Sequence, residues 1–216
     1  MEITWYGYSC FRLTERGMAT VVTDPYDHRE VGLEALKLKA DIVTISQERP
    51  TNNFIAGVKG DAFRIPGPGE YEIGGVFITG VQTNDGGKKG EPDLSNTLFV
   101  VDYNGLTVVH LGNMKRVPNQ AEVEALGPVH IALVPVGGGD YLNAAKAAEV
   151  ISLLEPRLVI PMQYAITGMK LKLDPISKFL KEMGLVEVAS VPSLKVSSVN
   201  SLPEDTHVTV LDYPHN

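Results

Sequence analysis

Four short stretches hold the side chains with which this chain could do chemistry, and each follows a strand-like run. Asp41 to Ser46 leads into Gln47-Glu48-Arg49-Pro50-Thr51-Asn52-Asn53, and Val108 to His110 into Leu111-Gly112-Asn113. Val134-Pro135 leads into Val136-Gly137-Gly138-Gly139-Asp140, and Val159-Ile160-Pro161 into Met162-Gln163-Tyr164. Strand ends followed by polar, non-helical loops are where α/β proteins assemble their sites. His110 is the candidate general base. Asp24, Asp85 and Asp140 are the carboxylates that could serve it in acid–base hydrolysis, provided one comes within hydrogen-bonding distance. Against this stands a structural reading, in which Gln47, Thr51, Asn52, Asn113 and Gln163 close into a satisfied polar network linking the loops. His110 and Asp24 have structural readings of the same kind. Gly137 to Gly139 could cradle an anion ahead of a helix opened by Asn143, but the spacing matches no phosphate-binding fingerprint and reads as a tight turn. Tyr164 could donate to a bound carbonyl or simply pack.

Metal chemistry is constrained by counts. The five histidines, His28, His110, His130, His207 and His215, are scattered, with no HxH or HExxH pair among them. A histidine metal site would have to be assembled from distant segments. The single cysteine, Cys10, excludes an intramolecular disulfide or a Cys-rich zinc site and is expected to be buried and inert within an apolar strand.

The elements that must position these residues change character along the chain. Strand-like runs in the first half are Glu2 to Tyr6, Cys10 to Leu13, Thr20 to Thr23, Asp41 to Ser46, Gly75 to Gly80, Thr97 to Tyr103 and Leu106 to His110. Asn104-Gly105 is a type I′ hairpin signal, and the strands are expected to be antiparallel and sequentially paired. Ile131 to Pro135 and Leu158 to Pro161 are continuous apolar runs, as in strands buried on both faces. Asn143 to Leu154 has helical spacing, with Asn143 as N-cap and Pro156 beyond the end. Asp174, Pro175 and Gly184 bracket a second helix in cap, N1 and C′ order, and Pro118-Asn119 and Gly127 bracket a shorter one. Asn84 to Asn96, rich in Gly and charge, reads as a surface loop rather than a domain boundary.

Composition fits one soluble domain over 1–216. The chain of 216 residues is 44% hydrophobic and 21% charged, and should bury roughly 70% of its unfolded surface. A formal net charge of −7 disfavours binding to nucleic acid or an anionic membrane. The sequence begins MEITWYGYSC, with no signal-peptide pattern, and no 18-residue apolar run follows, so a cytoplasmic location is expected.

ITWYGYSCFRL, VTDPY, ADIVTIS, GPGEYEIGGVFITG, VVHLGN, LVPVGGG, AAKAAEVISLLEPRLVIPMQY and LKLDPISKFLKEMG together cover nearly the whole chain. In these blocks it resembles the metallo-β-lactamase fold superfamily, in particular the bacterial zinc-dependent hydrolases of its lactonase-like branch. The resemblance implies a four-layer αββα sandwich with zinc held at the sheet edges. In that family the loop after ADIVTIS reads HxHxDH, and later ligands are a His near Asn84 or Asp85, an Asp in HxGD and a His in PMHY. Here the corresponding residues are Gln47, Arg49, Thr51 and Asn52, then Asn113 in HLGN and Gln163 in PMQY, with Tyr8 where the family reads GHS.

Neutral amides and hydroxyls are poor zinc ligands, and a permanent guanidinium repels a divalent cation. The expectation is therefore a homologue with a degenerate metal site, without cofactor, acting as a binding or structural module for a small molecule or a protein. A homo-oligomer is left open. The alternative is a hydrolase working through a displaced metal or metal-free acid–base residues. The vacated pocket is expected to comprise Gln47, Arg49, Thr51, Asn52, Asp85, Asn113, Gln163 and Tyr164, with Arg49 filling the metal space and pairing with Asp85.

Overall fold

The computed structural model of the chain describes residues 1–84 and 95–213. The strands are β1 (Glu2–Trp5), β2 (Phe11–Thr14), β3 (Val21–Thr23), β4 (Leu38–Lys39), β5 (Ile42–Thr44), β6 (Val58–Lys59), β7 (Phe63–Ile65) and β8 (Gly69–Ile73), followed by β9 (Val76–Thr83), β10 (Asn96–Tyr103), β11 (Leu106–His110), β12 (Ile131–Pro135), β13 (Leu158–Met162), β14 (Leu194–Lys195) and β15 (His207–Val208). The α-helices are α1 (His28–Val31), α2 (Gln120–Leu126), α3 (Ala144–Leu154) and α4 (Ile176–Glu182). Among these residues no helix is long and apolar enough to cross a membrane.

Two mixed sheets form the α/β sandwich. One has the order β14-β1-β2-β3-β5-β7 and the other β15-β13-β12-β11-β10-β9-β8, while β4 and β6 form a small separate pair. Alternation along β1 and β2 turns Ile3, Trp5, Phe11 and Leu13 inward, where they join Phe99, Val101, Leu133 and Ile160 in one core. Burying each such large side chain contributes about 1.5–3 kcal/mol. β12 and β13 are buried at every position and pair in parallel, as their unbroken apolar runs require. Asn104 (φ 55°) and Gly105 (φ 85°) form the hairpin turn between β10 and β11. The Asn143 side chain accepts from Lys146 N and caps α3, whose Ala147, Val150 and Ile151 stripe faces the core.

Several expectations need correction. β1–β2–β3 and β8–β9–β10–β11 are antiparallel meanders, but β3, β5 and β7 run parallel to one another. The segments between them are long enough for crossovers, containing α1 and β4 in the first and a 3₁₀ turn (Ile55–Gly57) with β6 in the second. Helix α4 is capped by Pro175, not Asp174, whose carboxylate instead accepts from Lys178 Nζ at 2.6 Å. Cys10 is buried as expected, but in the turn preceding β2 rather than in a strand.

The parallel strands matter most for the site. The chain leaves β3, β5, β11, β12 and β13 at their C-terminal ends, and the loops leaving β3, β5, β11 and β13 meet along one edge of the sandwich.

Candidate functional site

At that edge the amides converge. Asn113, just beyond β11, donates through Nδ2 to Gln47 Oε1 (3.0 Å) and Asn52 Oδ1 (2.9 Å). Its Oδ1 accepts from Asn52 Nδ2 (3.2 Å) and Gln163 Nε2 (2.6 Å). Asn52 Nδ2 also reaches Asp24 Oδ2 at 2.9 Å and Ser9 Oγ at 3.3 Å, while Asn52 Oδ1 accepts from Thr51 Oγ1 at 2.8 Å. Asn52, Asn113, Gln163 and Asp24 are wholly inaccessible to solvent. Buried amides so far from water must find partners, and here the five loops supply them to one another.

The backbone is strained toward the same point. Five non-glycine residues among those described have positive φ. Asn104 and Glu155 occupy a hairpin turn and a helix C-cap, where the left-handed region is ordinary. The other three, Tyr8 (φ 52°), Asp24 (φ 40°) and Gln163 (φ 53°), all meet at the cluster. Each such conformation costs about 1–2 kcal/mol. Gln163 N donates to Tyr8 O at 3.1 Å, tying two of them together. Gly112, with φ +57°, is required by packing as well, since a Cβ there would lie 2.4 Å from Asn96 Oδ1 and 2.5 Å from Ser46 Cβ.

His110 and Asp24 lie behind the amides. His110 Nε2 lies 2.9 Å from the Ser9 carbonyl oxygen and so carries the proton, while Nδ1 accepts from Gly112 N at 3.2 Å. Both ring nitrogens are therefore engaged in holding loops. Asp24 accepts from Ser46 N at 2.7 Å and from Asn52 Nδ2. Burial pushes the Asp24 carboxyl up to about 7, opposed by these hydrogen bonds, and pushes the His110 imidazole down to about 4. His110 is thus neutral at physiological pH. Its Nδ1 stands 4.0 Å from Asp24 Oδ2, beyond hydrogen-bonding distance, so the pair is not arranged as a base and its orienting carboxylate.

The structure brings Gln47, Thr51, Asn52, Asn113 and Gln163 together but not every residue expected there. Arg49 is half-buried near Tyr141, whose phenol is pushed up by burial with the Arg49 charge opposing, and it takes no part in the amide hydrogen bonds. The space expected for its guanidinium is occupied by the Asn113, Asn52 and Gln47 amides, which can satisfy one another without burying a charge. Its expected partner Asp85 lies outside the described residues. Tyr164 turns away from the cluster, packing on Trp5 with ring centroids 5.1 Å apart and lining a different cavity. Successive residues at a strand end point to opposite sides, and Gln163 has taken the inward direction. Asp140 is exposed, carried outward by the left-handed Gly138 and Gly139.

Sequence reasoning missed Ser9, Ser46, Asn96 and Tyr141. Asn96 Oδ1 accepts from Asn113 N at 2.8 Å and its Nδ2 donates to Leu111 O at 3.1 Å, clamping the loop that presents Asn113. Tyr141 shares a short hydroxyl–hydroxyl contact with Tyr8, at the position where the resemblance expects histidine.

The donor set does not suit zinc. Among the described residues no group of three or more His, Cys, Asp or Glu side chains is placed to hold a metal ion. Each side-chain oxygen of Asn52 and Asn113 already receives two hydrogen bonds, which leaves no free lone pair to coordinate a cation. Within the amide cluster, Gln163 Oε1 is buried without a hydrogen-bond partner among the described residues.

The sandwich with its converging strand-end loops is that of the β-lactamase superfamily. The family model for the beta-lactamase superfamily domain matches residues 2–163, and the chain belongs to this superfamily. A Thermotoga maritima protein assigned to the Zn-dependent hydrolases of the metallo-beta-lactamase superfamily is 34% identical, with a TM-score of 0.78 over 97% of each chain. A metal-dependent hydrolase of the UPF0173 group from Pyrococcus abyssi is 34% identical over 119 residues, 54% of this chain and 52% of that relative. That match thus spans about half the length of the relative. A UPF0173 protein from Pyrococcus furiosus is 26% identical over 209 residues, covering 85% of this chain and 90% of the other. A metallo hydrolase from Ignicoccus hospitalis, at 18% identity and a TM-score of 0.65, shares the fold.

Proposed function

We propose that this chain is a non-catalytic homologue within a family of metal-dependent hydrolases, retaining the fold and using it as a binding or structural module. What supports the reading is the donor set: the side-chain oxygens of Asn52 and Asn113 are saturated by N–H and O–H donors at the positions where the resemblance places metal ligands. Such an amide-lined site suits a small polar ligand or a protein partner rather than a divalent cation. The 4.0 Å gap between His110 and Asp24 supports the same reading over metal-free acid–base hydrolysis. We further propose that it works in the cytoplasm, a location with which its one buried, unpaired cysteine agrees.

The proposal is tested by restoring the family's ligands together, with Gln47→His, Arg49→His, Thr51→Asp, Asn52→His, Asn113→Asp and Gln163→His in one chain. The restored chain should gain zinc that the parent does not take up. Equal zinc uptake by both would contradict the reading.

A further inference from the structure

A cavity lies on the outer face of the first sheet, away from the amide cluster. Residues Phe11 and Leu13 of β2 point into the core, so Arg12 and Thr14 project from the opposite face, with Arg12 across from Thr4 of β1 and Thr14 across from Glu2. Together with Arg16, Thr20, Lys195, Ser197 and Ser201 they line a cavity of about 770 Å³.

The charges in this cavity do not balance. Glu2 accepts from Ser193 Oγ at 2.7 Å and lies 3.9 Å from Lys195 Nζ, and Glu15 is paired with the N-terminal ammonium group. Asp41, just outside the lining, accepts from Thr20 N at 2.8 Å. The two carboxylates that line the cavity are thus paired with ammonium groups, and Asp41 outside it accepts a backbone N–H, while Arg12 and Arg16 have no acidic partner among the described residues. The Arg12 Nε–H is buried without a hydrogen-bond partner. A buried guanidinium N–H left unpaired is costly, and in a chain of net charge −7 two uncompensated arginines in one cavity stand out.

We propose that this cavity binds a phosphoryl dianion, either free phosphate or the phosphate group of a small metabolite. Two unbalanced positive charges match a dianion better than a monocarboxylate. The guanidinium fork of Arg12 suits two phosphoryl oxygens at once, and the hydroxyls of Thr14 and Ser197 supply donors for the remainder.

Calorimetric titration of the full chain with inorganic phosphate at fixed ionic strength tests this, with glycerol phosphate and acetate as parallel probes. Saturable one-to-one binding of phosphate is expected, weakened at least tenfold by Arg12→Gln and several-fold by Arg16→Gln. Arg16 is exposed, so its substitution reports on binding even if the Arg12 variant folds poorly. Tighter binding of glycerol phosphate than of phosphate would identify a phosphomonoester as the ligand, and the reverse would identify free phosphate. Absence of saturable binding, equal binding of acetate, or affinity unchanged in Arg16→Gln and in a folded Arg12→Gln chain would overturn the proposal.

Discussion

Asn113 and Asn52 face each other amide to amide, each donating a hydrogen bond to the other's side-chain oxygen, at 2.9 and 3.2 Å. This reciprocal pair joins the loop after β11 to the loop after β5, which come from opposite sheets. The closure of the sandwich edge, which the resemblance would assign to a shared metal, is accomplished here by neutral hydrogen bonds among side chains wholly out of contact with solvent.

Asn113→Asp should be strongly destabilising at neutral pH. It replaces the donor to Gln47 and Asn52 with a second acceptor and adds a charge near Asp24, which bonds to the same Asn52 amide. An uncompensated buried charge costs about 3–5 kcal/mol. The new carboxyl would have a folded-state pKa raised above the unfolded value of about 4, so the deficit should shrink as pH falls through the folded value. Urea denaturation at pH 8 and pH 5 measures both effects, and parental stability at pH 8 would refute them.

Gln163→Leu and Asn113→Ala should differ sharply. The first removes one hydrogen bond but also the orphaned Oε1 acceptor, so a change of about 1 kcal/mol or less is expected. The second strands Gln163 Nε2 and removes one partner of Gln47 Oε1 and of each Asn52 polar atom, costing about 3 kcal/mol or more. Comparable losses in the two variants would show that the network does not hold the loops as described.

The pH dependence of stability should contain two opposing contributions. Asp24, raised from 3.8 to about 7, binds its proton more tightly when folded, so its contribution falls as pH rises through that window. His110, lowered from 6.5 to about 4, binds its proton less tightly when folded, so its contribution rises with pH between those values. In the parent the two largely offset. Relative to the parent, Asp24→Asn should therefore gain stability with rising pH, and His110→Gln should lose it. Chemical denaturation across pH 4–7 reads the sign directly, and parallel profiles for the two variants would contradict the assignment.

Gly137→Ala should be among the most damaging single substitutions in the chain. A Cβ at Gly137 would lie 2.0 Å from the Gln163 carbonyl oxygen, which belongs to a backbone already held at positive φ. Overpacking of this kind costs about 1–3 kcal/mol, and more where backbone must move. Thermal denaturation showing parental stability would mean the β12 and β13 loops are not locked together.

The sequence was most informative where one local rule decided the outcome. Asn143 capped its helix, Asn104-Gly105 formed its turn, and the unbroken apolar runs of β12 and β13 were buried and parallel. The amides Gln47, Asn52, Asn113 and Gln163 could be found because each follows a strand end. Long-range pairing was hidden: nothing in the type of Ser9 marks its carbonyl as the acceptor for His110, 101 residues away. The parallel run β3–β5–β7 was obscured because its crossovers contain only very short elements. Tyr164 was misplaced because one residue along a strand end reverses the facing of the side chain.

Zinc content is the most direct test of the claim that this site holds itself together without a metal. The chain would be purified without chelators from zinc-supplemented cells, and its metal measured by mass spectrometry before and after dialysis against added zinc. Absence of stoichiometric zinc, with thermal stability unchanged by zinc or by chelator, is expected. One tightly bound zinc per chain, lost on Asn113→Ala or His110→Ala together with stability, would contradict the account.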